Sequence, residues 1–483
     1  MNNQDKRPIF DTLVSYALSG THPFDVPGHK MGKGIHPDFI NVVGPNIFKM
    51  DTNSMPILDN LSNPEGIIKD AEQLAAELFQ ADNAFFLING STSGIQNMIL
   101  ASVKPGEKII LPRNIHKSAI NGLVLSGAIP VYVDPEIEQS MGISVGHSSK
   151  RVISTINKNL DAKAILLLNP TYYGYTCNLT EIIEHAHKKG LIVLVDESHG
   201  MHFYMDSRFG IPSMSAGADM ATISVHKTGG SLTQSSLLLH RNGRISQNKV
   251  QSIINLMQTS SASYLLLASL DIARHHLATN PQLINNVYNL SKYASDKIKF
   301  IRGYRVSEDN LLINKENFHH DVSKLLIDVS MLGKTGNEIF NVLKEEFDIQ
   351  TEVGESRIVL AIISIGDTLD NINHLINSLQ VISDRYYTET PIPIARRKYF
   401  HPEAVKSPRD AFFSETEHIP IRESEGRIAG DQIMIYPPGI PLLVPGEVIT
   451  KGIITEYVRL IKQGNKVIGS TQNGKIKIRV IKE

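Results

Sequence analysis

The sequence is poor in cysteine, in net charge and in long apolar runs, and each shortage excludes a class of protein. Cys177 is the single cysteine among 483 residues, so no intrachain disulfide framework can form and a reducing compartment is expected. The 48 Lys and Arg residues nearly balance the 49 Asp and Glu residues, leaving a net charge of -1, whereas general nucleic-acid binders carry a basic surplus. The longest apolar runs, such as 164–168 and 191–195, are too short to span a bilayer. The first residues are polar and lack the apolar core of a signal peptide. Together with the shortages above, this predicts a cytoplasmic protein.

Common nucleotide and metal motifs are missing as well. No Walker A or G-x-G-x-x-G pattern occurs, which argues against nucleotide binding through those loops. Eighteen histidines are present, and Asp196, His199 and His202 lie close in sequence. No H-E-x-x-H pattern or cysteine set accompanies them, so no metal site is predicted.

What the sequence does contain is an alternation of short apolar runs with helix-compatible stretches between residues 84 and 240. Strands buried on both faces read as continuous apolar runs, and parallel strands need crossover helices. The pattern therefore predicts an α/β layer structure with a mostly parallel sheet. The predicted strands are 84–88, 108–111, 129–133, 164–168, 191–195, 221–225 and 235–239.

The length and the pattern together predict several domains. An N-terminal segment, 1–60, is rich in Pro, Gly and Asn, which predicts a short helix over 10–19 followed by irregular structure, and it precedes a large α/β domain over 61–305. Residues 306–390 alternate strand and helix again, which predicts a smaller α+β domain. A polar linker with several prolines then opens a C-terminal domain, 391–483, which includes the turn-forming motif Tyr436-Pro-Pro-Gly439.

Polar residues collect where the predicted strands end, and this is where ligands bind in open parallel sheets. The strand 84–88 is followed by a hydroxyl-rich loop that contains Ser91, Thr92 and Ser93 and leads into a helix. Free backbone N–H groups and the positive end of the helix dipole favour a phosphate there. A Ser or Thr that only caps the helix would give the same pattern.

Two further strand ends carry an acid and a lysine. Asp196 follows the apolar run 191–195 and could pair with a protonated ring nitrogen, bind a cation or simply cap a helix. Lys227 follows Ser224-Val-His226 and precedes two glycines, which let the backbone approach closely. A partly desolvated lysine can form a Schiff base with a carbonyl, whereas a solvated one would be only a surface charge.

The combination is more specific than its parts, because it supplies what a pyridoxal phosphate site requires. A lysine binds the cofactor's aldehyde, an aspartate keeps the pyridine nitrogen protonated, and a helix N-terminus holds the phosphate. An aromatic ring or imidazole must also lie over the pyridine face. His116 is the candidate for that position, with helix capping as its alternative role.

At this point the motifs resemble those of the ornithine/lysine/arginine decarboxylase group of fold-type I pyridoxal phosphate enzymes. The shorter, Bacillus-type biosynthetic arginine decarboxylases are the nearest, and the resemblance spans nearly the whole chain. It implies an aspartate aminotransferase-like large domain with smaller α+β domains after it, and a homodimer or higher homo-oligomer with shared sites. The motifs are Pro27-Gly-His-Lys30, Gly66-Ile-Ile-Lys69, Asn114-Ile-His-Lys117, Asn169-Pro-Thr-Tyr-Tyr-Gly174, Asp196-Glu-Ser-His-Gly200, Ser224-Val-His-Lys227, Gly230-Ser-Leu-Thr-Gln-Ser235 and Tyr436-Pro-Pro-Gly-Ile-Pro441.

Three positions depart from the family pattern. Ser198 stands where the family usually has alanine, and Ser62 stands where a histidine is expected. Asp25 replaces a histidine that is common just before Pro27-Gly-His-Lys30. The first change is conservative, and the other two bear on the identity of the substrate more than on the type of reaction.

Carried over by position, the resemblance implies roles for the site residues. Lys227 links to the cofactor, Asp196 pairs with the pyridine nitrogen and His116 stacks on the ring. His199 lies near the phenolic oxygen of the ring or near the substrate carboxylate. The residues that bind the cofactor phosphate are Ser91, Thr92, Ser93, Ser224 and His226.

The predicted reaction is pyridoxal phosphate-dependent decarboxylation of a basic amino acid. Arginine, which gives agmatine and CO2, is the first choice, followed by lysine and then ornithine. A basic side chain needs an acidic or polar partner, for which Asp25 and Glu447 are candidates unless they are solvated surface charges.

Two alternatives belong to other classes of function. An aminotransferase or aldolase could use the same fold, but an aminotransferase needs an arginine to clamp the substrate carboxylate. Arg113 is the arginine near the predicted strand ends. A relative that binds the cofactor without turnover is the other alternative, although every expected catalytic position is filled.

Overall fold

The computed structural model describes residues 3–138, 140–307, 318–393, 400–436, 439–462, 466–469, 471–472 and 475–482. Its α-helices are α1 (Pro8–Leu18), α2 (Pro37–Val43), α3 (Asn46–Met50), α4 (Ile67–Leu78), α5 (Gly90–Ser102), α6 (Lys117–Ser126), α7 (Ser149–Lys158), α8 (Leu179–Lys188), α9 (Val225–Thr228), α10 (Gln247–Met257), α11 (Tyr264–Thr279), α12 (Gln282–Lys299), α13 (Gly336–Phe347), α14 (Leu369–Tyr386), α15 (Pro408–Phe413) and α16 (Lys451–Lys462). Its strands are β1 (Asn83–Leu87), β2 (Lys108–Pro112), β3 (Ile129–Val133), β4 (Glu136–Glu138), β5 (Ile143–Gly146), β6 (Ala164–Leu168), β7 (Tyr175–Cys177), β8 (Ile192–Asp196), β9 (Met220–Ile223), β10 (Ser236–His240), β11 (Arg305–Val306), β12 (Phe318–His320), β13 (Lys324–Asp328), β14 (Val353–Glu355), β15 (Ile358–Ile362), β16 (Thr416–Pro420), β17 (Ile433–Tyr436), β18 (Ile440–Leu443), β19 (Lys466–Ile468), β20 (Thr471–Gln472) and β21 (Lys475–Ile481). Within these ranges, none of the helices has the length and apolarity needed to cross a membrane.

The chain folds into two compact units, each built from two separate stretches of sequence. The first unit comprises Met1–Ala101 and Val195–Asn285, and the second comprises Ser102–Leu194 and Asn286–Glu483. The fold is mixed α/β with a mostly parallel central sheet, as the sequence predicts. The four-part division of the chain stays a prediction.

In the first unit, β1, β10 and β9 lie side by side in that order. They pair antiparallel, with Ala84 opposite Leu239 and Leu237 opposite Ile223. Every residue of β10 is buried, because the strand is covered on both faces and its apolar run is therefore continuous. The predicted strands 84–88 and 235–239 are each displaced by one residue from β1 and β10.

Helix α4 covers part of this unit, and an aspartate fixes where it begins. Ile68, Ala71 and Leu74 are buried on its inner face, as the helical spacing of these residues predicts. The Asp59 carboxylate accepts hydrogen bonds from the N–H groups of Gly66 at 2.9 Å and Ile68 at 3.1 Å. These bonds satisfy N–H groups that the first turn of a helix leaves without partners.

In the second unit, β6, β2 and β3 lie side by side and parallel. Ile110 of β2 is opposite Val131 on one side and Ile165 on the other. Helix α6 connects β2 to β3 and begins at Lys117. The region is therefore the strand–helix–strand unit that parallel pairing requires.

The second unit also contains a smaller antiparallel sheet, with strand order β11, β13, β15, β14. Helix α13 packs closely on it, since a Cβ atom on Gly336 would lie 2.1 Å from the Ile358 carbonyl oxygen. A capping box of Thr335 and Glu338 starts the helix at this point. This part matches the strand–helix alternation predicted for 306–390.

The C-terminal part of the second unit has two three-stranded sheets, in the orders β16, β21, β20 and β18, β17, β19. Ile453 and Tyr457 of α16 are buried in a core with Val480 of β21. The strands β17 and β18, on either side of the predicted turn, pair antiparallel. Pro437 and Pro438 of the predicted turn lie outside the described residues.

Candidate active site

Three strand ends in the first unit carry most of the predicted site residues. β1 leads into the start of α5, β8 ends at Asp196, and Ser224 follows β9 directly. The Glu197 N–H donates to the Thr222 carbonyl at 3.0 Å, which holds the end of β8 beside β9. The structure therefore brings the ends of these strands to a common edge.

The hydroxyl-rich loop forms the N-terminus of α5. Gly90 has a φ of +70°, a left-handed conformation that glycine adopts without strain. The Ser91 and Ser224 hydroxyls lie 2.6 Å apart, and both residues are buried. The Ser93 hydroxyl donates to the Gly90 carbonyl at 2.9 Å, whereas Thr92 is exposed at the helix end. This loop combines hydroxyl groups with N–H groups at a helix N-terminus, as phosphate binding requires.

A close approach of α5 to β9 sets the position of this helix end. A Cβ atom on Gly94 would lie 2.3 Å from Thr222 Oγ1 and 2.9 Å from Thr222 Cβ. Any larger side chain would push the helix away from the strand. Gly94 therefore keeps the first turn of α5 beside the end of β9.

Lys227 and His199 face one another at the edge of the first unit. Lys227 Nζ lies 3.0 Å from His199 Nε2, a distance at which a proton can pass between an amine and an imidazole. Lys227 is exposed and His199 is half-buried. The amine is therefore within reach of a carbonyl compound that enters from solvent.

The neutral form of His226 is poorly suited to bind an anion. Burial, with a smaller contribution from the Lys227 charge, lowers the pKa of His226 below its usual value. Its Nδ1 lies 2.7 Å from the Ser235 carbonyl oxygen, to which a neutral ring donates its proton. Donation to a phosphate from the second ring nitrogen requires protonation, which a nearby phosphate charge would favour.

Asp196 is buried, and its two carboxylate oxygens have different surroundings. Oδ1 accepts from the Ser198 N–H at 3.1 Å and from the Ser198 hydroxyl at 2.5 Å. Within the part of the chain that the structure describes, no hydrogen bond ends on Oδ2. That oxygen is therefore available to a donor from a bound molecule.

Sequence reasoning missed the buried carboxyl group of Glu197. Its Oε1 accepts from the Ser213 N–H at 2.8 Å, and its Oε2 accepts from the Tyr204 hydroxyl at 2.7 Å and from the Ser213 hydroxyl. Burial raises the pKa of Glu197 to about 8, against the hydrogen bonds from Ser213 and Tyr204 that lower it. The Glu197 carboxyl group is thus mostly neutral at pH 7. The one feature of the sequence that pointed to this residue was its place inside the Asp196–Gly200 motif.

His116 belongs to the second unit, at the start of α6. Its Nδ1 accepts from the Ser118 N–H at 3.2 Å and lies 2.9 Å from the Ser118 hydroxyl. The capping role that the sequence left open is therefore present. Stacking of His116 on a cofactor ring stays a prediction.

Glu447 also lies in the second unit, and its environment argues against the predicted contact with a substrate. Arg113 Nη1 and Nη2 donate to its two carboxylate oxygens at 2.6 and 2.9 Å. The Val444 N–H adds a bond of 2.8 Å, and both charged side chains are 4% exposed. Both carboxylate oxygens of Glu447 are bonded inside the protein, so we do not include Glu447 in the proposed substrate site. Arg113 belongs to the same ion pair and is therefore not placed to clamp a substrate carboxylate.

Asp25, the other candidate for the substrate's basic end, lies exposed in the first unit. Its backbone carbonyl accepts a hydrogen bond from the Lys30 ammonium group. The side chain is thus open to solvent, and its contact with a substrate stays a prediction. In the described ranges, no cluster of three His, Cys, Asp or Glu side chains is arranged to hold a metal ion.

The first unit has the donors and acceptors that pyridoxal phosphate needs. Lys227 offers an exposed amine, and Asp196 offers a carboxylate oxygen to which no described residue donates. Ser91 and Ser224 offer hydroxyl groups beside a helix N-terminus. An amine for the aldehyde, an acid for the ring nitrogen and an anion site for the phosphate are therefore all present.

Comparison with known proteins gives the family. The model of the Orn/Lys/Arg decarboxylase major domain matches residues 7–371. The chain belongs to the Orn/Lys/Arg decarboxylase family. The model of the C-terminal domain of these decarboxylases matches residues 395–469. The expectation of a pyridoxal phosphate-dependent amino acid decarboxylase is confirmed by this membership.

Two arginine decarboxylases match this decarboxylase over nearly their whole length. The arginine decarboxylase of Halalkalibacterium halodurans is 41% identical, with 100% of this chain and 99% of the relative covered. The arginine decarboxylase of Bacillus subtilis is 40% identical with the same coverage. The crystal structure of the Francisella novicida lysine decarboxylase superposes with a TM-score of 0.87 and 22% identity, over 99% of this chain and 82% of that one. That likeness confirms the predicted fold class.

Proposed function

We propose that this decarboxylase converts L-arginine to agmatine and CO2, a reaction of polyamine biosynthesis. The observation that carries the proposal is the identity of about 40% with Bacillus arginine decarboxylases over essentially complete chains. The lysine decarboxylases of Pseudomonas aeruginosa and Escherichia coli are 23% and 25% identical and are covered over 76% and 75% of their length. Arginine is therefore favoured over lysine as the substrate.

The first unit supplies the groups for this chemistry. Pyridoxal phosphate, when bound, provides the electron sink that makes loss of CO2 feasible. Asp196 Oδ2 holds a proton on the ring nitrogen, and the Ser91 and Ser224 hydroxyls bind the phosphate with the N–H groups of α5. Lys227 binds the aldehyde carbon and later delivers a proton to the substrate's Cα, with His199 at 3.0 Å as its proton partner.

The substrate's guanidinium group needs an acidic or polar partner. Asp25 is retained for this role because its carboxylate is exposed. Asp25 also replaces a histidine of the family pattern, which favours a cationic ligand near this position. Among the remaining predicted groups, Thr92, Ser93, His116 and His226 are retained as cofactor contacts.

We infer that the enzyme is cytoplasmic and works as a homodimer or larger homo-oligomer. Large apolar side chains are exposed along the N-terminal stretch 18–57 of the first unit. Monomeric proteins rarely expose contiguous apolar patches of large area, and such patches mark interaction sites. The residues are Leu18, Phe24, Val26, Phe39, Val42, Val43, Ile47 and Ile57.

The test is a comparison of substrates with product identification. The purified protein with added pyridoxal phosphate is incubated separately with arginine, lysine and ornithine, and the products are identified by mass spectrometry. We expect agmatine from arginine at a rate well above cadaverine or putrescine from the others. A preference for lysine or ornithine would overturn the choice of substrate, and a 2-oxo acid product would indicate transamination.

Lys227→Ala is the matched control for this experiment. The substitution removes the amine that binds the aldehyde, so we expect a loss of turnover of at least about 10³-fold, as for other nucleophiles that act as a unit with their neighbours. The visible absorption of the bound cofactor should change at the same time. Normal turnover in this variant would contradict the assignment of Lys227.

A further inference from the structure

We propose that Ser198 is a positioning residue, which orients the Asp196 carboxylate so that Oδ2 meets the ring nitrogen of the cofactor. The proposal rests on the proposed function, in which Asp196 holds the proton of that nitrogen. It concerns a position where the chain departs from the usual alanine of the family. The family motif therefore does not require the hydroxyl group of Ser198.

The contacts of Ser198 converge on a single oxygen atom. Its N–H and its hydroxyl donate to Asp196 Oδ1 at 3.1 and 2.5 Å. Ser198 is 8% exposed and Asp196 is 3% exposed, so water does not compete freely with either bond. Hydrogen bonds to an ionised acceptor are shorter and about twice as strong as neutral ones. Two donors on Oδ1 fix the rotation of the carboxylate and leave Oδ2 for the ligand.

The backbone turn does not depend on the hydroxyl. Asp206 and Asp328 each accept from the N–H two residues later, at 3.0 and 2.8 Å. An N–H bond of this kind is the ordinary feature of an aspartate turn. The Ser198 hydroxyl thus adds a second bond whose effect falls on the carboxylate rather than on the path of the chain.

The chain offers a close geometric match for a control. Ser323 donates from its N–H and its hydroxyl to Asp321 Oδ1 at 2.9 and 2.7 Å. Both residues are buried and belong to the second unit. Ser323→Ala removes the same type of bond from the same type of turn, but at an aspartate with no proposed role toward the cofactor.

Loss of the Ser198 hydroxyl has three expected consequences. In Ser198→Ala the carboxylate rotates more freely, so we expect the dissociation constant of pyridoxal phosphate to rise roughly 3- to 10-fold, the range for the net contribution of one typical hydrogen bond. We expect kcat to fall by a similar factor while KM for arginine stays nearly constant. A pyridine ring that holds its proton less firmly withdraws less electron density from the nitrogen linked to Lys227, so that nitrogen keeps its own proton up to a higher pH. The pH midpoint of the cofactor's visible absorption should therefore move upward.

The experiment titrates pyridoxal phosphate into cofactor-free preparations of the wild-type protein, Ser198→Ala, Ser198→Thr and Ser323→Ala, and records the visible absorption against pH. We expect shifts in Ser198→Ala, recovery in Ser198→Thr, which restores a hydroxyl, and wild-type behaviour in Ser323→Ala. Unchanged affinity and midpoint in a folded Ser198→Ala, with a normal wild type, would overturn the proposal. Equal shifts in Ser323→Ala would also overturn it.

Failure of the proposed function gives a different result, because the wild-type protein would then bind no pyridoxal phosphate or release no CO2. Circular dichroism shows whether each variant is folded. If Ser198→Ala does not fold, Ser198→Cys keeps the size of the side chain and offers a weaker donor. We expect the same direction of change in Ser198→Cys, and its absence there would equally overturn the proposal.

Discussion

At the scale of single residues, two neighbouring carboxyl groups have opposite environments. Asp196 offers one oxygen outward, whereas the Glu197 carboxyl group is enclosed by Tyr204 and Ser213. Strand alternation explains the difference, since consecutive side chains at a strand end point to opposite sides. One carboxyl group is thus suited to hold a ligand's proton, and the other supports the fold beneath it.

The raised pKa of Glu197, about 8 instead of 4.5, predicts a pH-dependent contribution to stability. Between these values the unfolded chain loses the proton while the folded protein keeps it, so this group lowers the free energy of unfolding as pH rises, by up to ~1.4 kcal/mol per unit. Glu197→Gln stays neutral and keeps the size of the side chain. We expect the variant to lose this downward slope, so that wild type and variant diverge by up to about 2–3 kcal/mol between roughly pH 5.5 and 7.5.

Urea unfolding at the two pH values measures this divergence. Glu184→Gln, at an exposed glutamate on α8, is the control and should leave the pH dependence as it is in the wild type. A slope in Glu197→Gln that equals the wild-type slope would show that Glu197 is ionised in the folded protein.

Sequence reasoning found Asp196 and Lys227 because each follows an apolar run, and such runs mark buried strands. It also identified Ser91 through the hydroxyl-rich loop. It did not find the role of Glu197 or the bond from Ser198 to Asp196. Those features depend on which face a side chain takes after the strand ends, and composition does not specify that face.

At the scale of elements, the end of β2 is tied to the C-terminal part of the second unit by one buried ion pair. Arg113 follows Pro112 directly, and its guanidinium stacks on the Tyr132 ring at 4.7 Å from the ring centroid. Burial acts to lower the pKa of Arg113, but the carboxylate of Glu447 raises it above its usual value. The Arg113 guanidinium group therefore remains charged inside the protein.

Removing one member of this pair should destabilise the folded protein, because the remaining buried charge has lost its hydration and has no partner that compensates for it. We expect Glu447→Ala to lower the free energy of unfolding by about 3–5 kcal/mol. The double variant Arg113→Met, Glu447→Leu removes both charges and should recover most of the loss. Chemical unfolding of the three proteins measures the effect, and a single variant as stable as the wild type would contradict it.

The elements that the sequence predicted well are the strands with long apolar runs. β3 and β6 have the predicted bounds. The pairs β4 with β5 and β7 with β12 were not predicted. They are three or four residues long, too short to show a period, and tertiary contacts such as that of Tyr173 with Glu355 at 2.9 Å hold this region.

At the scale of the whole molecule, exposed large apolar side chains are most concentrated in the N-terminal stretch of the described residues. Phe24 is 96% exposed and Val42 is 84% exposed, which is costly for side chains of this size in water. The composition of 1–60 predicted a short helix followed by irregular structure but carried no sign of this exposure, because the exposure of a side chain in the folded protein follows no short sequence period.

Self-association through this stretch predicts a clear result for Phe24→Ser with Val42→Ser. Burying each of these side chains stabilises a contact by roughly 1.5–3 kcal/mol, so the double variant should weaken association at least about 100-fold. Sedimentation velocity over a range of protein concentrations measures the change. Phe300→Ser removes a phenylalanine that is 89% exposed in the second unit and should leave the association constant unaltered. A wild-type protein that stays monomeric at all concentrations, or an equal effect of Phe300→Ser, would refute the assignment of this surface.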